Sequence, residues 1–296
     1  MNVSLPLRAL LSKSIDYAGL FPPATLELEP ALKNFAAYAQ SDEAWMLSTF
    51  ILPIAKFGEA VWFLSDFSEA NPLRISALGP KTMNATDFAE ELKNAAKGIR
   101  EFTAQGNVVR IEQLEMPLPQ DMQGVALTVS GMRARVFWEA PAEEAEKIIS
   151  VLAAENANIG YKLRTGGVTA DAFPGSAKIA QALLAAAKHK VPIKFTAGLH
   201  HPVRMFRDEV GAKMHGFLNV LGAGVLALEH GWDAKQTTAM LDDEDATAFG
   251  FTSDEFFWRD WRIDTAAIEE HRALVTSFGS CSFDEPREDL RALGLL

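Results

Sequence analysis

Short apolar segments alternate with longer segments of helical period between residues 15 and 197. The apolar segments predict seven strands, at Ile15–Phe21, Trp45–Leu52, Leu73–Leu78, Asn107–Leu114, Arg135–Glu139, Ile159–Thr165 and Pro192–Ala197. The intervening segments predict helices at Glu29–Gln40, Ala55–Asp66, Thr86–Ala104, Ala142–Asn156 and Ser176–Lys190. Such alternation is typical of βα units and a parallel sheet. The segment 121–131 fits neither pattern.

The number of these units favours a closed barrel over an open sheet. Seven or eight βα units in about 250 residues match a (β/α)8 barrel. Neither the Gly-x-Gly-x-x-Gly pattern after the first strand nor the Gly-x-x-x-x-Gly-Lys-Ser/Thr pattern occurs in the chain, which weakens a nucleotide-binding sheet. We therefore expect an α/β, TIM-barrel-like single domain over residues 1–296, with a helical and hairpin elaboration around 205–263.

The elements after residue 205 are harder to assign. Phe217–Glu229 reads as a buried helix, and a short acidic helix follows from Asp233. The aromatic run Phe249–Trp261 predicts a hairpin, which is the candidate for the eighth barrel strand. Asp264 is then the expected cap of a helix that continues to about Ser277.

Composition limits the partners and the compartment. The formal charge of −11 argues against a nucleic-acid backbone or an anionic membrane surface as the main partner. A single cysteine, Cys281, excludes an internal disulfide framework and the usual cysteine zinc motifs. The first residues lack the features of a signal peptide, and no apolar stretch has the roughly 20 residues of a membrane span. We expect a cytoplasmic protein.

Charged side chains interrupt two successive predicted strands, Lys162 in the sixth and Lys194 in the seventh. A charge within a buried parallel strand is costly unless it is paired or used. Strand residues of one parity point into a barrel, and catalytic groups come from the carboxyl ends of several strands. We therefore expect the lysines to meet acids from other strands. The candidate acids are Asp16, Glu112 and Glu139, with Glu115 also near the end of the fourth strand.

The lysines suggest a nucleophilic amine. A lysine with an ordinary pKa of about 10.4 is protonated at neutral pH and does not attack carbonyl carbon. Burial and a second nearby cation both favour the neutral form. We expect Arg164 and Lys194 to act on Lys162 in this way. The alternative is that the charges form structural ion pairs without chemistry.

Two short motifs carry a family resemblance. Residues 160–167 read GYKLRTGG and residues 192–198 read PIKFTAG. Together the segment 158–198 resembles the sixth and seventh strands of class I deoxyribose-phosphate aldolases. The resemblance implies that Lys162 forms a Schiff base and that Lys194 perturbs its pKa. The third predicted strand has no acid where that family has an aspartate. The segments 16–23, 196–202 and 278–286 also resemble uncharacterised bacterial proteins.

Polar residues that follow the sixth and seventh strands are candidates for holding a substrate. Loops at this end of a barrel commonly supply binding and acid–base groups. Arginine binds carboxylates through two parallel hydrogen bonds, and a glycine turn offers backbone amides to an anion. The candidates are Arg164, Thr165, Gly166, Gly167, Thr196, His200, His201 and Arg204.

These features predict an enzyme that acts on a small carbonyl or carboxylate metabolite, a lyase of the class I aldolase type without metal or cofactor. Because the adjacent His200 and His201 match no standard ligand spacing, activity is expected to survive a chelator. Two alternatives stay open. One is a divalent-metal lyase or hydrolase with these histidines and Glu139 or Glu112 as ligands. The other is a non-catalytic binding or regulatory barrel. Assembly into a homo-oligomer is left open.

Overall fold

Eight parallel strands of the computed structural model close into a barrel in the order β1-β13-β7-β6-β5-β4-β3-β2. The structure describes residues 3–121, 123, 125, 133–155 and 158–296. Its strands in chain order are β1 Ile15–Tyr17, β2 Leu47–Pro53, β3 Leu73–Leu78, β4 Val109–Pro117, β5 Arg135–Ala140, β6 Ile159–Arg164, β7 Ile193–Thr196, β8 Met205–Arg207, β9 Ala212–Met214, β10 Phe249–Phe251, β11 Glu255–Trp258, β12 Trp261–Asp264 and β13 Val275–Ser280. The closed parallel barrel with helices between its strands confirms the predicted (β/α)8 fold.

Helices connect the barrel strands. In the described part of the chain they are α1 Leu5–Leu11, α2 Leu28–Tyr38, α3 Phe57–Ala60, α4 Ala85–Thr103, α5 Ala145–Leu152, α6 Ser176–His189, α7 Phe217–His230, α8 Ala234–Leu241, α9 Thr265–His271 and α10 Asp284–Ala292. The five helices predicted before residue 197 all occur, although the second predicted helix, at 55–66, is a single α-helical turn flanked by 3-10 turns. No helix in these ranges is long and apolar enough to cross a bilayer.

Two glycines explain how the predicted buried helix α7 fits beside the barrel. A Cβ at Gly222 would lie 2.6 Å from the Met240 methyl carbon, and a Cβ at Gly224 would lie 2.7 Å from a methyl group of Val275. Larger residues at these positions would push α8 and β13 away from the helix. The glycines that interrupt this apolar stretch therefore permit close packing.

The eighth barrel strand is not the one that the sequence pattern indicated. The aromatic run forms β10, β11 and β12, a separate antiparallel sheet with Trp258 opposite Trp261. Asp264 does cap a helix, since its carboxylate accepts a hydrogen bond from the Ala267 amide at 2.8 Å. That helix ends at His271, and β13 closes the barrel between β1 and β7.

The wrong assignment has a physical cause. The aromatic run has strong alternation and pairs locally, whereas β13 reads VTSFGS and has few large apolar side chains. The segment of β13 becomes the eighth barrel strand because the barrel must be closed between β1 and β7, and its own sequence pattern does not indicate this. The segment between β7 and β13 carries the β8–β9 hairpin, α7, α8 and the three-stranded sheet, in the region where an elaboration was expected. Asn156 and most of the segment 121–131 lie outside the described residues.

Candidate active site

A cavity of about 500 Å³ opens where the barrel strands end at their carboxyl termini. This is the face at which (β/α)8 enzymes place their active sites. The described residues that line it include part of the predicted set. They are Glu139, Lys162, Arg164, Gly167, Thr196 and His200. The mouth of the barrel therefore contains one buried lysine, one arginine, one histidine and one acid from the predicted set.

Lys162 is the buried cation that reaches this cavity. Its side chain is 4% exposed, and its Nζ lies 2.5 Å from Glu115 Oε2 and 2.8 Å from Glu139 Oε2. Arg164, two residues further along β6, contacts the other oxygen of Glu139 at 3.1 Å. Alternate residues of β6 thus place two cations around a single carboxylate at the floor of the cavity.

Lys194 occupies the matching position on β7 but has a different environment. The two lysines are register partners on neighbouring strands. Lys194 is fully buried, and its Nζ lies 2.9 Å from Asp16 Oδ2 and 2.5 Å from Glu115 Oε1. Asp16 also accepts hydrogen bonds of 2.6 Å from the hydroxyls of Thr49 and Ser277. The described residues that line the cavity include neither Lys194 nor Asp16.

The charges around Lys162 do not act as the sequence suggested. Burial alone would lower the pKa of Lys162, but the carboxylates of Glu115 and Glu139 outweigh it and raise the pKa. Burial would likewise raise the pKa of Glu115, yet the ammonium groups of Lys162 and Lys194 lower it to about 2. The pKa of Glu139 is lowered as well, against the effect of burial, by Lys162 and Arg164. Lys162 is therefore an ammonium in the resting state. Lys194 does not destabilise this ammonium, because the carboxylates of Asp16 and Glu115 neutralise the charge of Lys194.

Glu112 does not face the barrel mouth, and that expectation is wrong. Ile75 pairs with Ile111, but the next residue, Ser76, pairs with Gln113. Glu112 is thus the extra residue of a β-bulge, and its side chain is exposed. In a regular strand Glu112 would stand opposite Ser76 and point inward. Because of the bulge, Gln113 stands opposite Ser76 instead. Glu115, two residues later, is then buried inside the barrel.

Thr165 and Gly166 support the loops at the cavity and do not line it among the described residues. The Thr165 hydroxyl donates a hydrogen bond of 2.6 Å to the carbonyl of Ala197 and is buried. A Cβ at Gly166 would lie 2.5 Å from the Phe173 ring. Both residues hold the loop after β6 against the loop after β7. Their geometry indicates a positioning role.

His201 and Arg204 also have partners away from the cavity lining. His201 Nδ1 lies 2.6 Å from Asp289 Oδ2 on α10. Arg204 Nη1 lies 3.0 Å from Nδ1 of His215. His200 and His201 therefore do not form the metal site that was considered as an alternative. His201 contacts Asp289 on α10, whereas His200 faces the cavity.

Cys281, the single cysteine of the chain, has a polar environment in the structure. It lines the cavity, and its Sγ lies 3.8 Å from His200 Nδ1. Glu285 Oε2 lies 3.2 Å from the same nitrogen. Burial would lower the pKa of His200, but Cys281 and Glu285 raise it to about 9. More than 80 residues separate His200 from Cys281 in sequence, so no local motif revealed this group.

The chain was compared with protein-family models, with curated proteins and with solved structures. No protein-family model matches the chain, and no curated protein matches it. Among solved structures, the chain is similar to the deoxyribose phosphate aldolase from Aeropyrum pernix, which is described as a unique tetramer. The likeness covers 98% of each chain, with 11% identity and a TM-score of 0.39.

Proposed function

We propose that the protein is a lyase that makes or breaks a bond beside the carbonyl group of a small metabolite, with Lys162 as an amine nucleophile. The observation that carries this proposal is the position of the Lys162 ammonium. It lines a cavity at the carboxyl end of the barrel and contacts two carboxylates directly. A nucleophile with proton acceptors in hydrogen-bond reach is the arrangement that amine catalysis requires.

The proton balance favours Glu139 as the acid–base partner. Its side chain is 12% exposed and lines the cavity, whereas Glu115 is fully buried. Transfer of a proton from Lys162 to Glu139 leaves an amine whose lone pair forms the C–N bond as the carbonyl π electrons move to oxygen. Glu139 then returns its proton to that oxygen, and loss of water gives the iminium.

The cations at the cavity indicate the class of substrate. Arg164 is 47% exposed at its side chain and lines the cavity beside Glu139. His200 lines another part of it. An exposed guanidinium suits a carboxylate because it offers two parallel hydrogen bonds. A small carbonyl compound with an acidic group, such as a keto acid, fits this arrangement.

The raised pKa of Lys162 favours a second candidate. Lys162 could remain an ammonium and stabilise the negative charge of an enolate, while Glu139 moves the proton from the adjacent carbon. This function needs no covalent bond to the protein. A covalent trap therefore separates the two candidates.

The test is borohydride reduction in the presence of small aldehydes, ketones and keto acids, followed by mass spectrometry of the protein and its peptides. The proposal predicts a reduced adduct at Lys162 that Lys162→Met loses. Lys81 is the matched control because it also lines the cavity but is exposed, so Lys81→Met should keep the adduct. A substrate that is turned over with no adduct, or an adduct confined to Lys81, would support the ammonium mechanism instead. Ligand binding without turnover would support a binding protein.

The pH profile gives a second, independent test. The amine route needs neutral Lys162, so activity should rise with pH toward the raised pKa. Glu115→Gln removes one of the charges that raise this pKa and keeps the acid–base partner Glu139, so it should move the rising limb to lower pH. In the ammonium route activity should instead fall as Lys162 loses its proton.

A further inference from the structure

Three metal-ligating side chains lie close together beside the cavity, apart from the lysines, and two of them, His200 and Cys281, line it. His200 lies in the loop after β7, Cys281 directly follows β13, and Glu285 is in the first turn of α10. Strands β7 and β13 are hydrogen-bonded neighbours in the barrel. Barrel closure therefore brings together groups that are distant in sequence.

The distances suit a single cation. Nδ1 of His200 lies 3.2 Å from Glu285 Oε2 and 3.8 Å from Cys281 Sγ. All three ligand atoms lie within 4.8 Å of one another. Nitrogen, oxygen and sulfur ligands placed tetrahedrally on zinc are roughly 3.3–3.6 Å apart, given bond lengths of about 2.0–2.3 Å. The separations of 3.2 and 3.8 Å are close to that range, and binding would draw the three ligand atoms, all within 4.8 Å of one another, toward it.

The donor chemistry also points to a borderline-soft divalent cation. Thiolate and imidazole ligands suit zinc, and hard oxygen-loving cations such as magnesium do not use them. A thiolate and a carboxylate together balance the charge of a divalent ion. His200 and Cys281 are buried and line the cavity, so three protein ligands leave a coordination position on the cavity side.

The neighbouring acid–histidine pair supplies a contrast. Asp289 lies one helical turn beyond Glu285 on α10 and contacts His201 at 2.6 Å. His201 is therefore paired with Asp289 and is not a member of the group formed by His200, Cys281 and Glu285. The pair His201–Asp289 is thus a comparison for the pair His200–Glu285, from which it differs in having no cysteine ligand.

We propose that His200, Cys281 and Glu285 bind one zinc-like divalent cation at the rim of the cavity, with an open position for an oxygen atom of the substrate or for water. The proposal does not rest on the Schiff-base chemistry of Lys162. His200 enters both proposals, as a cation near the substrate in the first and as a metal ligand here. Failure of either proposal leaves the other standing.

Cobalt substitution tests the site directly. The full-length protein is stripped with a chelator and titrated with Co²⁺, and Zn²⁺ binding is measured by calorimetry. We expect one equivalent to bind, with visible bands of tetrahedral cobalt and a near-ultraviolet thiolate charge-transfer band. Cys281→Ser should abolish the charge-transfer band and weaken Zn²⁺ binding by at least about 100-fold, since ligand loss exceeds the 10–100-fold effect of outer-shell changes.

Two surface carboxylates on α10 provide controls. Glu285→Gln should weaken binding, whereas Glu288→Gln and Asp289→Asn should leave it unchanged. Glu285 and Glu288 are not in the buried core, so these variants are expected to fold, which circular dichroism verifies. Zn²⁺ should also slow alkylation of Cys281 by iodoacetamide in the wild type and in Glu288→Gln. Cobalt binding without the thiolate band, equal affinity in Cys281→Ser, or alkylation unaffected by Zn²⁺ would overturn the proposal.

Discussion

Lys162 and Lys194 are the same residue at matching positions of adjacent strands, yet they occupy different parts of the molecule. Both are buried, and the two oxygens of Glu115 contact one lysine each. Lys162 lines the cavity, while Lys194 is enclosed with Asp16. Burial and charge alone therefore do not distinguish a site from a scaffold. Access to a substrate does, and the following variants probe that difference.

The largest effect is expected from Lys194→Met. Asp16 would keep its hydroxyl donors but lose the ammonium at 2.9 Å, which leaves a buried carboxylate without its cation. Breaking one side of a buried pair typically costs about 3–5 kcal/mol. Chemical denaturation should show that loss in the free energy of unfolding. A loss below about 1 kcal/mol would mean that Lys194 is not a structural cation.

Glu115→Gln is expected to have the next largest effect. The amide would weaken contacts with both lysines, although Lys194 keeps Asp16 and Lys162 keeps Glu139. Loss of charged hydrogen bonds should cost about 2–3 kcal/mol. Glu112→Gln is the matched control on the same strand. Because Glu112 is exposed on the bulge, its substitution should change stability by less than about 0.5 kcal/mol. Equal losses in the two variants would contradict the inward position of Glu115.

Lys162→Met should cost less stability than Lys194→Met. Glu115 retains Lys194 and Glu139 retains Arg164, so neither acid is left without a cation. We expect a loss of about 1.5 kcal/mol, the lower end for hydrogen bonds to charged groups. The same variant should lose the borohydride adduct. A Lys162 variant that melts as early as Lys194→Met would assign both lysines to the scaffold.

The last prediction concerns stability at acid pH. The pKa of Glu115 is lowered from 4.5 to about 2 in the folded protein. Its ionised form therefore stabilises the fold above the ordinary pKa, and this contribution is lost as pH falls from about 4.5 through about 2. Unfolding measured across that window should show a steeper loss for the wild type than for Glu115→Gln. Parallel curves would show that Glu115 does not carry this dependence.

The sequence identified some of the residues that line the cavity and missed others. Lys162 and Glu139 were found because a charge in a buried strand needs a partner. Glu112 and Glu115 were both candidate acids of the fourth strand. The sequence did not show which of them points inward, because the bulge that decides it is visible only in the pairing of β4 with β3. The proximity of Cys281 to His200 could not be inferred from the sequence, because 81 positions separate the two residues along the chain.

The sequence by itself determined the alternation of strands and helices, and with it the barrel and the two lysines on neighbouring strands. This follows because hydrophobic period and helix propensity act over a few residues. The tertiary structure decided which segment closes the barrel, which glutamate enters it, and which lysine meets the cavity. Those outcomes depend on register, bulges and contacts between distant segments, whose energies exist only once the chain has closed on itself.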